Sequence, residues 1–215
     1  MSKINTPKIE RRFTAGRVEL RAKSDNPDEP KNRIRGYAAV FNQESENLGN
    51  NNTYDFREVL SPDAFNDVLN DDVRALFNHD PNLLLARSKA GTGTLSLGID
   101  ETGLWYEFDA PDTQYARDLL VSLQRGDVDQ SSFGFTVNKD GETWEETERD
   151  GVSYIKRTIT RVSRLYDVSP VTYPAYPDTT VALRSLEEFQ KAAAPAEPVA
   201  ELSPIPSLWA ARLGI

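Results

Sequence analysis

The sequence predicts an α+β fold: a mainly antiparallel β-barrel of about seven strands with two or three helices packed outside it. Three observations carry this expectation. Much of residues 17–184 alternates apolar and polar side chains with period two, the mark of half-buried strands. Two segments instead carry the end signals and 3.6-residue spacing of amphipathic helices. No apolar run approaches the roughly 18 residues that a membrane span needs, so the apolar stripes must pack on one another.

The elements follow in order. Val18, Leu20 and Ala22 alternate with Arg17, Glu19, Arg21 and Lys23, predicting a first strand. Residues 34–41 predict a second, in which Gly36 marks a bulge or barrel bend. Residues 42–53 hold five asparagines and read as a surface loop. Ser61-Pro62-Asp63 then supplies an N-cap, a proline at the first helical position and a first-turn acid, and Phe65, Val68 and Leu69 form one helical face. Residues 75–79 read as a strand ending at His79, because Pro81 biases Asp80 away from helix and interrupts pairing. Leu95, Leu97 and Ile99 lead through the turn Asp100-Glu101-Thr102-Gly103 to a returning strand at 104–108. A second helix is predicted from near Asp112-Thr113 to Arg125, with Gly126 as its left-handed stop. Its buried face is Tyr115, Ala116, Leu119, Leu120 and Leu123. Phe133, Phe135 and Val137 alternate in another strand. Residues 139–150, with six acids and two bases, read as a solvated hairpin tip or loop. Residues 152–159 and 162–168 close the series.

The expected organisation is an N-terminal arm over 1–16, one domain over 17–184 and an Ala/Pro-rich C-terminal tail over 185–215, with a short helix or domain end at 185–191. Within the tail, Pro195, Pro198, Pro204 and Pro206 prevent a regular helix or central strand, so 192–206 reads as linker. Leu208-Trp209-Ala210-Ala211-Arg212-Leu213 reads either as a short docking segment or as an unordered end.

Composition excludes several chemistries. The 215 residues include no cysteine, which removes disulfides, thiolate metal sites and a cysteine nucleophile. One histidine, His79, removes a multi-histidine zinc site, and no metal or cofactor is expected. With 25 basic against 34 acidic residues, the net charge of -9 disfavours nucleic acid as a partner. The first residues lack the apolar stretch of a signal peptide, so a cytosolic protein away from membranes is expected.

Histidine chemistry can therefore reside only in Phe77-Asn78-His79-Asp80-Pro81. A lone histidine is more often an ordinary structural residue, but a position beside a loop and an imidazole able to act near neutral pH suit a general base. Ser132 lies in Ser131-Ser132-Phe133-Gly134-Phe135. Period two sets Ser132, Gly134 and Thr136 opposite the apolar stripe and groups Ser131 with Phe133, so parity favours Ser132 as nucleophile. A serine–histidine pair wants an acid to hold the imidazole. Asp167, inside the apolar run Leu165-Tyr166-Asp167-Val168, is the best local candidate. Asp80 is a second, although a sequence neighbour of His79 on a strand faces the other way. No G-x-S-x-G elbow or phosphate-cradling glycine loop is present.

Five blocks together resemble the tailed-phage prohead maturation protease family. They are Arg35-Gly36-Tyr37-Ala38-Ala39-Val40-Phe41-Asn42, Ser61-Pro62-Asp63-Ala64-Phe65, Leu76-Phe77-Asn78-His79-Asp80-Pro81, the stretch from Arg125 through Ser132-Phe133-Gly134-Phe135, and Leu165-Tyr166-Asp167-Val168-Ser169-Pro170-Val171 with its continuation to Pro177. The resemblance spans about residues 17–184. It implies a serine endopeptidase with a fold similar to the herpesvirus assemblin proteases. His79 matches the histidine before Asp-Pro, Ser132 the serine before Phe-Gly-Phe, and Asp167 the acidic position before Val-Ser, often Glu in relatives. The herpesvirus enzymes use a second histidine as third member, and this chain has none to offer. Implied substrates are scaffold, scaffolding segments of the major capsid protein and the protease's own tails, inside the assembling prohead in the host cytoplasm. A homodimer is implied by the same analogy, and Arg161 and Arg164 are candidates for holding an oxyanion water. The alternatives are a non-catalytic capsid-assembly or scaffolding protein on the same fold, and an unrelated β-barrel binding module.

Overall fold

The structure, a computed structural model, describes residues 9–21, 32–49, 54–173, 185–187 and 189–190. In chain order its elements are β1 (Glu10–Arg21), β2 (Arg33–Val40), β3 (Tyr54–Leu60), β4 (Val73–Phe77), β5 (Asp80–Lys89), β6 (Thr92–Gly93), β7 (Ser96–Ile99) and β8 (Gly103–Asp109). Helix α1 (Gln114–Arg125) is followed by β9 (Gln130–Val137), β10 (Glu142–Arg149), β11 (Val152–Ile159) and β12 (Val162–Val171). Nine strands form one sheet in the order β6-β5-β4-β12-β9-β1-β2-β8-β7, and β10-β11-β3 form a second. The large sheet's two edges, β6 and β7, are separated in sequence only by Thr94 and Leu95. Two residues span at most about 10 Å, so the sheet curls until its edges nearly meet. The result is a nearly closed, mainly antiparallel barrel, with parallel pairing at β4–β12 and β3–β11.

Its core is filled from alternate positions of these strands. Ile34, Leu104, Tyr106, Phe133, Phe135 and Leu165 are fully buried. Gly36 faces Tyr106 across β2–β8, and a Cβ there would stand 2.7 Å from the phenol ring, so the glycine makes room for the aromatic.

The α+β class is observed, with twelve strands among the described residues where about seven were expected. The second predicted helix is α1, with Thr113 as N-cap and Gly126 in the left-handed conformation at φ 79°. Ala116 and Leu119 are buried, and Tyr115, Leu120 and Leu123 pack partly against the core. The helix expected from Ser61 is instead a run of turns: Ala64 N–H donates to Ser61 O, Asn66 to Asp63 O and Val68 to Phe65 O. Phe65 and Val68 are buried as expected, with Phe65 edge-on to Phe133 at 5.5 Å. A segment this short has little helical stability of its own, so burial of its aromatic decides the local path.

Three further expectations need correcting. Strand β1 begins at Glu10, so residues 10–16 belong to the sheet rather than to an arm. The acid-rich stretch 142–149 is strand β10, an edge strand that pairs with β11 and exposes most of its charges, while Glu142 turns inward to Arg157. The strand before His79 ends at Phe77, and Pro81 lies inside β5 at a pairing irregularity, where its missing N–H is tolerated. At the other end, Leu186, in a helical turn at 185–187, is buried with Leu48, Phe56 and Ile155. Residues 1–8, the expected linker 192–206 and the segment 208–213 lie outside the described residues.

Candidate active site

His79 is delivered by a turn. Strands β4 and β5 are joined by Asn78-His79, with φ of 56° and 57°. Positive φ at both central residues is the mark of the type I′ hairpin, whose twist suits paired strands. Asparagine accepts that conformation readily, whereas a histidine adopts it at a cost of roughly 1 kcal/mol. The turn is docked on the end of β12. Asn78 N–H donates to Pro170 O at 3.0 Å, and Asn78 Oδ1 accepts from Thr172 N–H at 2.9 Å and from Thr172 Oγ1 at 3.2 Å.

Ser132 comes from β9, with both faces of that strand buried. Parity sorts its two serines as expected. Ser131 Oγ lies on the core side, 2.6 Å from the Tyr106 hydroxyl, whose phenol is pushed up by burial. Ser132 Oγ lies 2.7 Å from His79 Nε2. Asp167 comes from β12, buried rather than facing water, and its Oδ1 accepts from His79 Nδ1–H at 2.5 Å. The structure thus brings His79, Ser132 and Asp167 together from one turn and two adjacent strands. Asp80 instead accepts from Asn82 N–H at 2.8 Å. Arg161 pairs with Asp140, and the Arg164 guanidinium lies 4.8 Å over the Tyr166 ring.

The register explains why the carboxylate fits. Asp167 pairs with Gly134 across β9–β12, and Ser169 pairs with Ser132. Directly paired residues share a face, so these four positions form one patch.

The protons can be counted. With Nδ1–H given to Asp167, a neutral imidazole presents Nε2 as an acceptor, and Ser132 Oγ–H can donate to it. The same hydroxyl also lies 3.0 Å from the Arg12 backbone carbonyl. It has one proton, so it serves either Nε2 or Arg12 O. An imidazole between a carboxylate and a hydroxyl can take the hydroxyl's proton, because the carboxylate stabilises the imidazolium that results.

Two features lay beyond the sequence reading. Ser169, fully buried, donates from Oγ to Asp167 Oδ1 at 2.8 Å. Its spacing of two from Asp167 on a strand was the available signal. The second is a buried ion cluster beside the site. Arg12 donates to Glu10 Oε2 at 2.7 Å and also bonds Glu58, while Arg157 donates to Glu10 at 2.8 Å, to Glu58 at 2.5 Å and to Glu142 at 2.7 Å. Burial works to raise the Glu58 carboxyl, but Arg12 and Arg157 together bring it down to about 2. Burial likewise works against the Arg12 guanidinium, but the charge and hydrogen bond of Glu58 together with the charge of Glu10 outweigh it and raise that group. Its members come from β1, β3, β10 and β11, so no local pattern announces it.

Comparison with known proteins places the chain among relatives. Residues 18–192 match the family model described as caudovirus prohead serine protease. The prohead protease of Enterobacteria phage HK97 is 30% identical over 152 residues, which is 69% of this chain and 58% of that protein; the chain spans little more than half the length of this curated relative. The solved structure of the bacteriophage T4 capsid assembly protease aligns over 79% of this chain and 100% of its own, at 12% identity and a TM-score of 0.42. Since the family match covers most of the sequence, the chain belongs to the caudovirus prohead serine protease family.

Proposed function

We propose that this protein is a serine endopeptidase of capsid maturation, with Ser132 as nucleophile, His79 as general base and acid, and Asp167 as the group that orients the imidazole. The observation that carries the reading is the unbroken relay from Ser132 Oγ to His79 Nε2 at 2.7 Å and from His79 Nδ1 to Asp167 Oδ1 at 2.5 Å. Both contacts are part-buried, where electrostatic interactions are stronger than in water.

The chemistry is acyl transfer. His79 takes the Ser132 proton as Oγ bonds to the peptide carbonyl carbon, and the tetrahedral oxyanion forms. His79 then gives that proton to the departing amine as the C–N bond breaks, leaving an ester on Ser132. Water, deprotonated by the same imidazole, hydrolyses the ester and restores the serine. The family supports substrates within the assembling prohead of the infected host cell: scaffold, scaffolding segments of the capsid protein and the protease's own ends. A homodimer and an assemblin-like barrel belong to the same reading. Sedimentation equilibrium tests the first and an experimental structure the second. A non-catalytic assembly protein would have no need to keep serine and histidine at hydrogen-bond distance.

Co-expression with the cognate capsid protein, followed by intact-mass analysis, tests the function. Discrete shortened products are expected with the wild type and none with Ser132→Ala. The same products from Ser132→Ala would overturn the assignment.

A further inference from the structure

Asp167 sits in a roomy seat. Its Oδ2 faces Gly134, which offers no side chain against it, and its Oδ1 receives the imidazole. The last torsion of an aspartate is broad and roughly two-fold, so one hydrogen bond alone leaves the carboxylate free to rock. Ser169 supplies the second bond. It follows Asp167 by two on β12, leaves the same face and is fully buried. Its Oγ–H donates to Asp167 Oδ1 at 2.8 Å, the atom that accepts His79 Nδ1–H, and its Oγ stands 3.3 Å from Nδ1 itself. The three atoms close a triangle.

We propose that Ser169 is a positioning residue for the Ser132–His79–Asp167 set: its hydroxyl pins Asp167 Oδ1 and offers the imidazole N–H a second acceptor. The inference rests on the peptidase reading of that set. Two consequences follow. The carboxylate is held in the plane that keeps Nε2 aimed at Ser132, so the proton is removed from a fixed geometry. The donated O–H also draws charge from the carboxylate, which weakens its hold on the imidazolium and eases return of the proton to the leaving amine. Other charged groups nearby are engaged elsewhere. The Arg12 guanidinium is bonded by Glu10 and Glu58, and the Asp80 carboxylate accepts from Asn82.

His79 is the only histidine in the chain, so an imidazole-selective NMR titration reads this site alone. The titration is made on the full chain carrying Ser132→Ala, which removes self-cleavage, with Ser169 intact, Ser169→Ala or Ser169→Thr. Turnover is measured in parallel with Ser132 restored. In Ser169→Ala the imidazole titration and the acid limb of kcat/KM move to higher pH. kcat falls about tenfold or more with KM unchanged, the factor that one hydrogen bond to a charged group carries. Ser169→Thr, which restores the hydroxyl, recovers both, and Ser169→Cys, a weak donor of similar size, lies between. A folded Ser169→Ala chain that titrates like its parent overturns the inference, as does Ser169→Thr titrating like Ser169→Ala. The titration needs no turnover, so failure of the peptidase reading would appear separately, as wild-type enzyme that leaves its substrate whole.

Discussion

Gly134 lies directly opposite Asp167 across the β9–β12 pair, and a Cβ on Gly134 would stand 2.4 Å from Asp167 Oδ2. The glycine therefore provides the space that the carboxylate occupies. Gly134→Ala must displace Asp167 or the strand. Because a shift of about 1 Å in a catalytic group can cost a hundredfold, kcat should fall by about that factor or more. Peptide turnover measured beside thermal unfolding checks this. Loss of stability with intact turnover would contradict it.

Removing either serine distinguishes nucleophile from core hydroxyl. Ser132→Ala and His79→Ala should each lower kcat by a factor on the order of 10⁶. Ser131→Ala deprives the Tyr106 hydroxyl of its partner, so it should cost about 1 kcal/mol of stability and leave cleavage in place. Cleavage lost in Ser131→Ala and kept in Ser132→Ala would reverse the assignment.

Asp167→Asn keeps the shape of the side chain and changes the hydrogen that His79 Nδ1 must carry. A drop of roughly 10⁴ in kcat at neutral pH is expected, with stability little changed. Turnover and chemical denaturation of one preparation report both quantities.

The turn that presents His79 can be separated into backbone and side-chain contributions. Asn78→Ala strains a left-handed position and removes the acceptor for Thr172, and about 1–2 kcal/mol of stability should be lost. Asn78→Gly relieves the strain and still lacks the acceptor. Its stability should recover in part, while kcat remains low because the turn is no longer clamped to β12. Equal kcat in Asn78→Gly and wild type would show that the clamp does not orient the histidine.

The buried ion cluster predicts both a mutational and an acid response. Arg157→Ala leaves Glu10 and Glu58 buried without that cation and should destabilise by about 3–5 kcal/mol. A carboxyl whose value is lowered on folding stabilises the fold above its unfolded value and loses that contribution as the pH falls through its folded value. For Glu58 that window runs from 4.5 down to about 2. Asp72, brought down to about 2 by its hydrogen bond from Arg87, acts from 3.8 downward at the surface, where solvent screens it. Urea unfolding between these pH values should show falling stability, with a shallower slope in Glu58→Gln. Parallel slopes would mean that Glu58 contributes nothing.

Much of the site was legible in the chain because strands make it so. Strict alternation in Ser131-Ser132-Phe133-Gly134-Phe135 is enough to place Ser131 with the core and Ser132 away from it. The stop signal of α1 was likewise local, since Gly126 in the left-handed conformation returns its N–H to Leu123 O within the last turn. The segment after Ser61 misled for the opposite reason. Its cap and face are real, but Phe65 is held by Phe133 and Phe41, residues far away in sequence. The acids of β10 read as loop because edge-strand pairing leaves no apolar signature.

By itself, the sequence determined that a single imidazole must serve any histidine chemistry and that Ser132, not Ser131, lies opposite the apolar stripe. It also left a carboxylate, rather than a second histidine, as the available third partner. Only the tertiary structure decided which carboxylate. Asp80 is adjacent to His79 in the chain and bonds elsewhere, while Asp167, 88 residues away, is 2.5 Å from its ring. The reason is physical. Local pattern specifies the face on which a side chain leaves its strand, whereas the meeting of β4, β9 and β12, and the glycine that opens a seat for the acid, depend on pairing register between distant segments.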